Sequence, residues 1–465
     1  MRECNVYLVL GAMWNGTERV MEDYRAVADA VAADIGAGRL RPGDRLATQR
    51  AFARRHGIAN STANRVYREL ARRGLVVGEV GRGTFVRAAP RTPGPALAEP
   101  AAAPVDLELN YPVVAGQTAL LGEGLGRLLR TDVLADALRP VGPAGTPPAR
   151  EAAAALLTGA GWAPDPARVL FAGNGRQAIA AAVAALVPTG GRLGVEALTY
   201  PVVKAIAARL GVTLVPLAQD ENGLLPDALL AAHRSAPLAA VYLQPTLHNP
   251  LATTMPERRR AELADVLRRT GVHAVEDTIW AFLSDGPPPL AAWAPEHTVV
   301  VDSLSKRLAP GLTVGFAVTP PGLTDRIATA LRSGAWTSAG FALDAATGWM
   351  TDGTVAAVGR AKREDVTLRQ EIAARRLAGF RVRTAPSCYF VWWDLPEPWR
   401  AETFVAAAAR RGIAVTPAAA FAVAPHSAPN AVRVALASPP PDTLSTALGT
   451  LAAIAAGSPD DAMVG

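Results

Sequence analysis

Lysine is scarce in this chain. Of 47 basic residues only three are lysines, Lys204, Lys306 and Lys362, so arginine serves almost wherever a cation suffices. A lysine kept against that bias points to amine chemistry, since a guanidinium is no nucleophile at neutral pH. Lys306 lies in Ser303-Leu304-Ser305-Lys306, directly after the β-branched run Thr298 to Val301, which reads as a buried strand. It therefore stands past the carboxyl end of a strand, where open α/β sheets build their sites. Twenty-nine residues earlier, Asp277 ends the apolar run His273-Ala274-Val275-Glu276-Asp277. Twenty-eight before that, Asn249 stands in His248-Asn249-Pro250, after a run ending at Leu243. An amine able to form a Schiff base, a carboxylate for a pyridinium nitrogen and a polar group for a phenolate oxygen meet the needs of pyridoxal phosphate.

Those residues need a sheet to position them. Strand-like runs at Val169-Leu170-Phe171, Ala239 to Leu243, Val272 to Val275 and Thr298 to Val301 alternate with Ala-rich amphipathic stretches. That alternation predicts an α/β domain with a mostly parallel sheet. From about Val355 helices mix with strands at Tyr389 to Trp393 and Val432 to Ala435, predicting a smaller α+β lobe. Ahead of all this, residues 88–104 are rich in Ala and Pro and read as a linker.

The N-terminal stretch has a different character. Between Trp14 and Arg87 there are 14 Arg against 8 acidic residues. The surplus equals the net charge of +6 for the whole chain, so the remainder is neutral and only this module calls for an anionic partner. Tyr24, Val27, Val31 and Ile35 mark one helix face. Thr48 can cap a second helix, Gln49 to His56, closed by Gly57, and Asn60 or Ser61 a third that runs to Gly74. Leu75-Val76-Val77 and Thr84-Phe85-Val86 then flank Gly81-Arg82-Gly83 as a hairpin. This is the element order of a winged helix-turn-helix. It places Ser61, Thr62, Asn64 and Arg65 at the start of a recognition helix, Arg50 toward the DNA backbone and Arg82 on the wing. The module resembles the GntR family of bacterial repressors through Gly38-Arg39-Leu40-Arg41-Pro42-Gly43-Asp44-Arg45-Leu46, Arg50-Ala51-Phe52-Ala53, Val66-Tyr67-Arg68-Glu69-Leu70 and Gly81-Arg82-Gly83-Thr84-Phe85-Val86. It departs at Ala47-Thr48, where the family has Pro-Ser, and at Ala59-Asn60, where it has Ser-Arg.

The larger domain resembles the fold-type-I aminotransferases of class I/II over nearly all of Val105 to Ile454. The resemblance implies that Lys306 is the internal-aldimine lysine, that Asp277 pairs with the pyridine nitrogen, that Asn249 approaches the ring oxygen and that Tyr200 stacks on the ring. Asn174-Gly175-Arg176-Gln177 opens an Ala-rich helix whose amides and dipole suit a phosphate, with Ser303 and Ser305 as further ligands. Arg433 matches the arginine that grips an amino-acid carboxylate. Three positions depart from the family. Thr313 replaces a phosphate-binding arginine, for which Arg176 and Arg307 are the two candidate substitutes. Ile279 or Trp280 stands where a tyrosine is expected, and Pro250-Leu251-Ala252 replaces Pro-Thr-Gly.

A GntR-type winged helix (14–88), a linker (89–104) and an aminotransferase class I/II-like domain (105–457) form the architecture of the MocR subfamily of transcription regulators. The resemblance implies a homodimer that binds operator DNA and senses pyridoxal 5'-phosphate, or an amino-acid or amine effector, through the Lys306 aldimine. An aminotransferase that retains turnover and a cofactor-free dimerisation domain are the alternatives. Only two cysteines, Cys4 and Cys388, are present, which excludes a disulfide framework and a Cys-rich zinc site. No metal is expected. No apolar run reaches membrane-spanning length and no secretory signal is evident, so a cytoplasmic location is expected.

Overall fold

The computed structural model of the protein describes residues 16–459 apart from 37–38, 42, 73–74, 80–82, 87–102, 127, 129, 132–133, 135–138, 160 and 425–427. The expected wing residue Arg82, most of the expected linker and Cys4 lie outside the described residues. The chain divides into two compact units, one formed chiefly by the residues up to Pro93 and one spanning most of the rest from Gly94.

In the first unit, helices α1 (Gly16–Gly36), α2 (Gln49–His56) and α3 (Asn60–Arg72) precede an antiparallel pair, β1 (Val76–Glu79) and β2 (Gly83–Val86). Ala28 and Val31 of α1, Phe52 of α2, and Val66, Tyr67 and Leu70 of α3 form the core with Val76 and Val86. Phe52 meets Tyr67 edge to face at 5.2 Å between ring centres. The Thr48 hydroxyl accepts from Ala51 N at 3.3 Å, and Gly57 closes α2 in the left-handed region at φ 63°, as the sequence predicts. The start of α3 differs. Ala63 N donates to Ala59 O at 3.0 Å, so Asn60 and Ser61 lie in the first turn instead of capping it.

The second unit is built on a seven-stranded sheet of β3 (Val169–Ala172), β4 (Arg192–Glu196), β5 (Thr213–Leu217), β6 (Ala240–Leu243), β7 (His273–Asp277), β8 (Thr298–Ser303) and β9 (Gly315–Val318), in the order β3-β9-β8-β7-β6-β4-β5. All neighbours pair in parallel except β9, which runs antiparallel to both β8 and β3. Every residue of β8 is buried. Val299 and Val301 join one core cluster while Val300 joins another on the opposite face. Burial on both faces explains why these strands read as unbroken apolar runs. Because β3, β6, β7 and β8 point the same way, the residues following them gather at one edge of the sheet.

A second, antiparallel sheet holds β10 (Arg381–Arg383), β11 (Phe390–Asp394), β12 (Thr416–Pro417) and β13 (Ala431–Ala435), in the order β10-β11-β13-β12. The long helix α6 (Thr354–Arg376) comes just before it in sequence, while α4 (Gly175–Leu186) follows β3 and α5 (Leu304–Arg307) follows β8. A feature with no local sequence signal is the parallel pairing of Val105–Asp106 with Ile413–Ala414. It brings the start of the domain beside its C-terminal lobe. Among the described residues no helix is long and apolar enough to cross a membrane.

The start of β9 is a close approach that glycine permits. A Cβ on Gly315 would lie 2.3 Å from Asn174 O and 2.4 Å from its carbonyl carbon, so the turn before α4 would have to move. Gly315→Ala should cost about 1–3 kcal/mol, the usual range for overpacking, measured by urea denaturation. An unchanged midpoint would show that the turn yields freely.

Candidate functional site

Lys306 projects from α5, the four-residue helix that follows β8. Its Nζ donates to Asn110 O at 2.6 Å, and stands 4.1 Å from the centre of the Tyr111 ring and 5.1 Å from that of Trp280. Burial pushes its amine well below the ordinary lysine range, helped by the charges of Arg176, Arg433 and Lys362 and opposed by Asp277. A lysine so placed holds a larger fraction of the nucleophilic free amine. The side-chain amide of Asn110 is buried, and neither of its polar atoms has a hydrogen-bond partner.

Asp277 ends β7 and is buried. Its Oδ2 accepts from Tyr242 Oη at 2.7 Å and from Gln244 Nε2 at 2.8 Å, and its Oδ1 accepts from Ile279 N at 3.1 Å. Burial pushes its carboxyl up to about 6 against the pull of those donors. Gln244 also accepts from Asn249 N at 3.2 Å, and so ties Asp277 to Asn249. Asn249 Oδ1 in turn accepts from Arg433 Nη1 at 3.2 Å. Arg433 Nη2 donates to Glu108 O and to Thr416 Oγ1, the latter at 3.3 Å. The guanidinium lies between Phe421 and Phe390, 5.2 and 5.9 Å from their ring centres, and burial lowers it to about 10. Its Nε has no partner. The structure therefore joins Asp277, Asn249 and Arg433 through Gln244, which the sequence reading missed. Its one signal was a polar residue immediately after an apolar strand. Tyr111 and Asn110 were missed too, because the bond from Lys306 to Asn110 spans 196 residues.

Asn174 caps α4 by accepting from Gln177 N at 3.0 Å. A Cβ on Gly175 would fall 3.1 Å from Ser303 Oγ, so the starts of α4 and α5 are in contact there. Ser303 Oγ accepts from Ser305 N at 3.2 Å, and Ser305 Oγ lies 2.9 Å from Thr313 Oγ1. Thr313 thus completes a hydroxyl cluster in place of the expected arginine. Of its two candidate substitutes, Arg307 is committed elsewhere: it donates to Asp302 at 2.7 Å and covers Phe282. Arg176 stays beside the cluster at the start of α4. Burial disfavours its charge, but Tyr200 and Tyr111 outweigh that and raise its pKa. Tyr111 Oη accepts from Arg176 Nη2 at 3.4 Å. Tyr200 is partly buried at the start of the helix Pro201–Leu210. Trp280 packs against Tyr389 and Phe390, so its indole supplies wall and no hydroxyl.

On α3 of the first unit, Ser61, Asn64, Arg65 and Arg68 recur at intervals of three and four, which puts them on one helix face. Ser61, Arg65 and Arg68 are exposed and Asn64 partly so, with Asn64 Nδ2 donating to Gln49 Oε1 at 3.3 Å. Arg50 is exposed at the start of α2. Thr62 departs from expectation: at 5% exposure it turns into the core. Helical phase puts it a full 100° from Ser61, on the side of Val66.

The raised carboxyl of Asp277 gives the fold a pH signature. Its folded pKa lies above the ordinary 3.8, so the folded state holds the proton more tightly than the unfolded chain. That stabilisation is complete below about pH 4 and lost as pH rises through about 6, a difference on the order of 3 kcal/mol. Asp277→Asn removes this titration, so from pH 4 to 7 its stability in urea melts should gain on the wild type by that order. A constant difference across the window would contradict the placement.

Residues 137–451 match the family Aminotransferase class I and II, and residues 23–86 match Bacterial regulatory proteins, gntR family. The HTH-type transcriptional regulator YdeF of Bacillus subtilis is 28% identical over 419 residues, 90% of either chain. The HTH-type pyridoxine biosynthesis transcriptional regulator PdxR of Corynebacterium glutamicum is 24% identical over 302 residues, 62% of this chain and 63% of that protein. The fold is shared with an archaeal alanine:glyoxylate aminotransferase at a TM-score of 0.69 and 20% identity, covering 75% of this chain and 90% of that one. It is shared too with the alpha-aminoadipate aminotransferase LysN of Thermus thermophilus, solved in complex with N-(5'-phosphopyridoxyl)-L-leucine, at 0.68 and 22%, covering 76% and 92%. The chain belongs to the aminotransferase class I and II family, and with its GntR-type helix-turn-helix it has the domain combination of the MocR-type regulators.

Proposed function

We propose that the protein regulates transcription by binding operator DNA through α3, and that its larger domain holds pyridoxal 5'-phosphate at Lys306 to sense an amino acid or another amine. The observation that carries this reading is the Lys306 amine, shifted toward its free form between two aromatic rings, at the sheet edge that also bears Asp277. The residues fit the cofactor. Pyridoxal phosphate supplies an aldehyde that condenses reversibly with primary amines. Lys306 is its attachment point, Asp277 the partner of the ring nitrogen, Asn249 that of the ring oxygen, and Tyr200 a stacking surface. The start of α4 at Asn174 and Gly175, the Ser303 and Ser305 hydroxyls and the Arg176 charge form its phosphate site. The unpartnered Asn110 amide and Arg433 Nε leave hydrogen-bonding capacity for an effector, with Arg433 gripping its carboxylate. The phosphopyridoxyl ligand of LysN and the pyridoxine-linked name of PdxR support the same reading. We further propose a cytoplasmic homodimer, in which effector binding and operator binding are linked equilibria.

Two experiments test it. Full-length protein is incubated with pyridoxal phosphate, reduced with borohydride and mapped by mass spectrometry. The phosphopyridoxyl group should appear on Lys306 and vanish in a folded Lys306→Ala variant. A label on Lys204 or Lys362, or none at saturating cofactor, would overturn the assignment. On the DNA side, Arg65→Ala should weaken operator binding by about 1–3 kcal/mol and relax its base preference. Unchanged binding and preference across salt concentrations would remove α3 from the DNA interface.

A further inference from the structure

Lys362 acts on Lys306 through its charge, but nothing so far accounts for its placement. Lys362 is fully buried within α6. Its Nζ donates to Lys306 O at 2.8 Å and to Leu308 O at 2.6 Å. These are carbonyls at the end of α5, which is only four residues long and has no further turn to satisfy them. Lys362 provides the missing donors, and its charge stands at the end of the helix where a cation is favoured. Gln117 Nε2 adds a bond to Leu308 O at 3.2 Å.

The other side of Lys362 is held as firmly. Tyr389 Oη donates to Lys362 O at 2.7 Å and to Asp365 Oδ2 at 2.9 Å. Arg369 Nε donates to the same carboxylate oxygen at 2.7 Å. Arg369 Nη1 donates to Leu436 O at 2.5 Å and Pro439 O at 2.7 Å, just beyond β13, the strand that carries Arg433. One helix therefore ties the turn bearing Lys306 to the strand bearing Arg433.

We propose that Lys362 is a positioning residue for Lys306: it anchors the carbonyls of the Lys306 turn and so fixes the amine in place, with its own ammonium set against the same turn. This deepens the reading of Lys306 as the reactive amine and rests on it. The groups that act on Lys306 are Arg176, Arg433 and Lys362, which disfavour its charge, and Asp277, which favours it. On Lys362 itself, burial pushes the ammonium down to about 7 while Asp365 pulls it up. Its charge therefore changes near neutral pH, and with it the push on Lys306. Loss of that charge removes a like-charge neighbour, so the pKa of Lys306 must rise.

Competitive acetylation tests this without any cofactor, because Lys306 retains partial solvent exposure. Full-length protein is treated with trace acetic anhydride from about pH 6 to 10, spanning the ordinary and lowered lysine range, and Lys306 acetylation is read by mass spectrometry. In Lys362→Met, of similar length and uncharged, the midpoint should move up, leaving less free amine below it. Circular dichroism checks the fold. If Lys362→Met does not fold, Asp365→Asn replaces it: losing the carboxylate that favours the Lys362 charge should move the midpoint the same way. An unmoved midpoint in whichever folded variant is used overturns the proposal and leaves Lys362 a cap alone. Failure of the borohydride label on wild type, with the midpoint still shifting, would reject the cofactor reading and leave the positioning role standing.

Discussion

Buried cations that give their hydrogen bonds to backbone carbonyls hold this site together. An ammonium or guanidinium taken out of water is tolerated only if its N–H groups find acceptors, so each one fixes whatever backbone surrounds it. Lys306 holds Asn110 O, Lys362 holds Lys306 O and Leu308 O, and Arg433 holds Glu108 O. Arg369 holds Leu436 O and Pro439 O, and Arg260 holds Met255 O, Pro288 O and Pro245 O. None of these bonds lies within a helix or sheet ladder. They join loops, strand ends and lobes that the regular elements leave separate.

That constraint revises the meaning of the scarce lysines. Their rarity pointed to amine chemistry, which is the role proposed for Lys306. Lys204 and Lys362 are retained for another property. Each ammonium bonds a pair of carbonyls, Ala420 O and Ala422 O at 2.6 and 3.0 Å for Lys204. A compact charge with three rotatable donors suits two converging carbonyls, where the flat fork of a guanidinium suits a carboxylate. The scarcity marked all three as special but did not say why.

What was legible in the sequence follows from how local each signal is. The strands ending at Asp277 and Ser303 are buried on both faces, so they appear as apolar runs, and the residues beyond them fall at one sheet edge. The winged helix was equally plain, because Thr48 and Gly57 mark helix ends through short-range bonds. What escaped notice depends on contacts across the chain. Asn110 and Tyr111 follow Val105–Asp106, which pairs with Ile413–Ala414, and no local pattern records a partner so distant. Thr62 was lost to helical phase: nearness to the start of α3 suggested it, while its four-residue spacing to buried Val66 turns it inward. Of the two candidates Arg176 and Arg307, the second is tied to Asp302 at 2.7 Å, a pairing that no local pattern announces.

The charge inventory of the site then becomes intelligible. Arg176, Arg433 and Lys362 each act on Lys306, while the one carboxylate that favours its charge, Asp277, is itself pushed toward its neutral form by burial. A low-dielectric pocket with such a surplus stabilises anions and penalises every further positive charge. The penalty falls on the group that can most easily shed a proton. Arginine holds its proton under nearly all conditions, so the lysines yield first, and Lys306 is the one that stands among three other cations. An anion entering the pocket offsets the surplus, and the same Coulomb interaction then favours the protonated amine. The reactivity of Lys306 and the affinity of the pocket for anionic groups are therefore one electrostatic quantity seen from two sides.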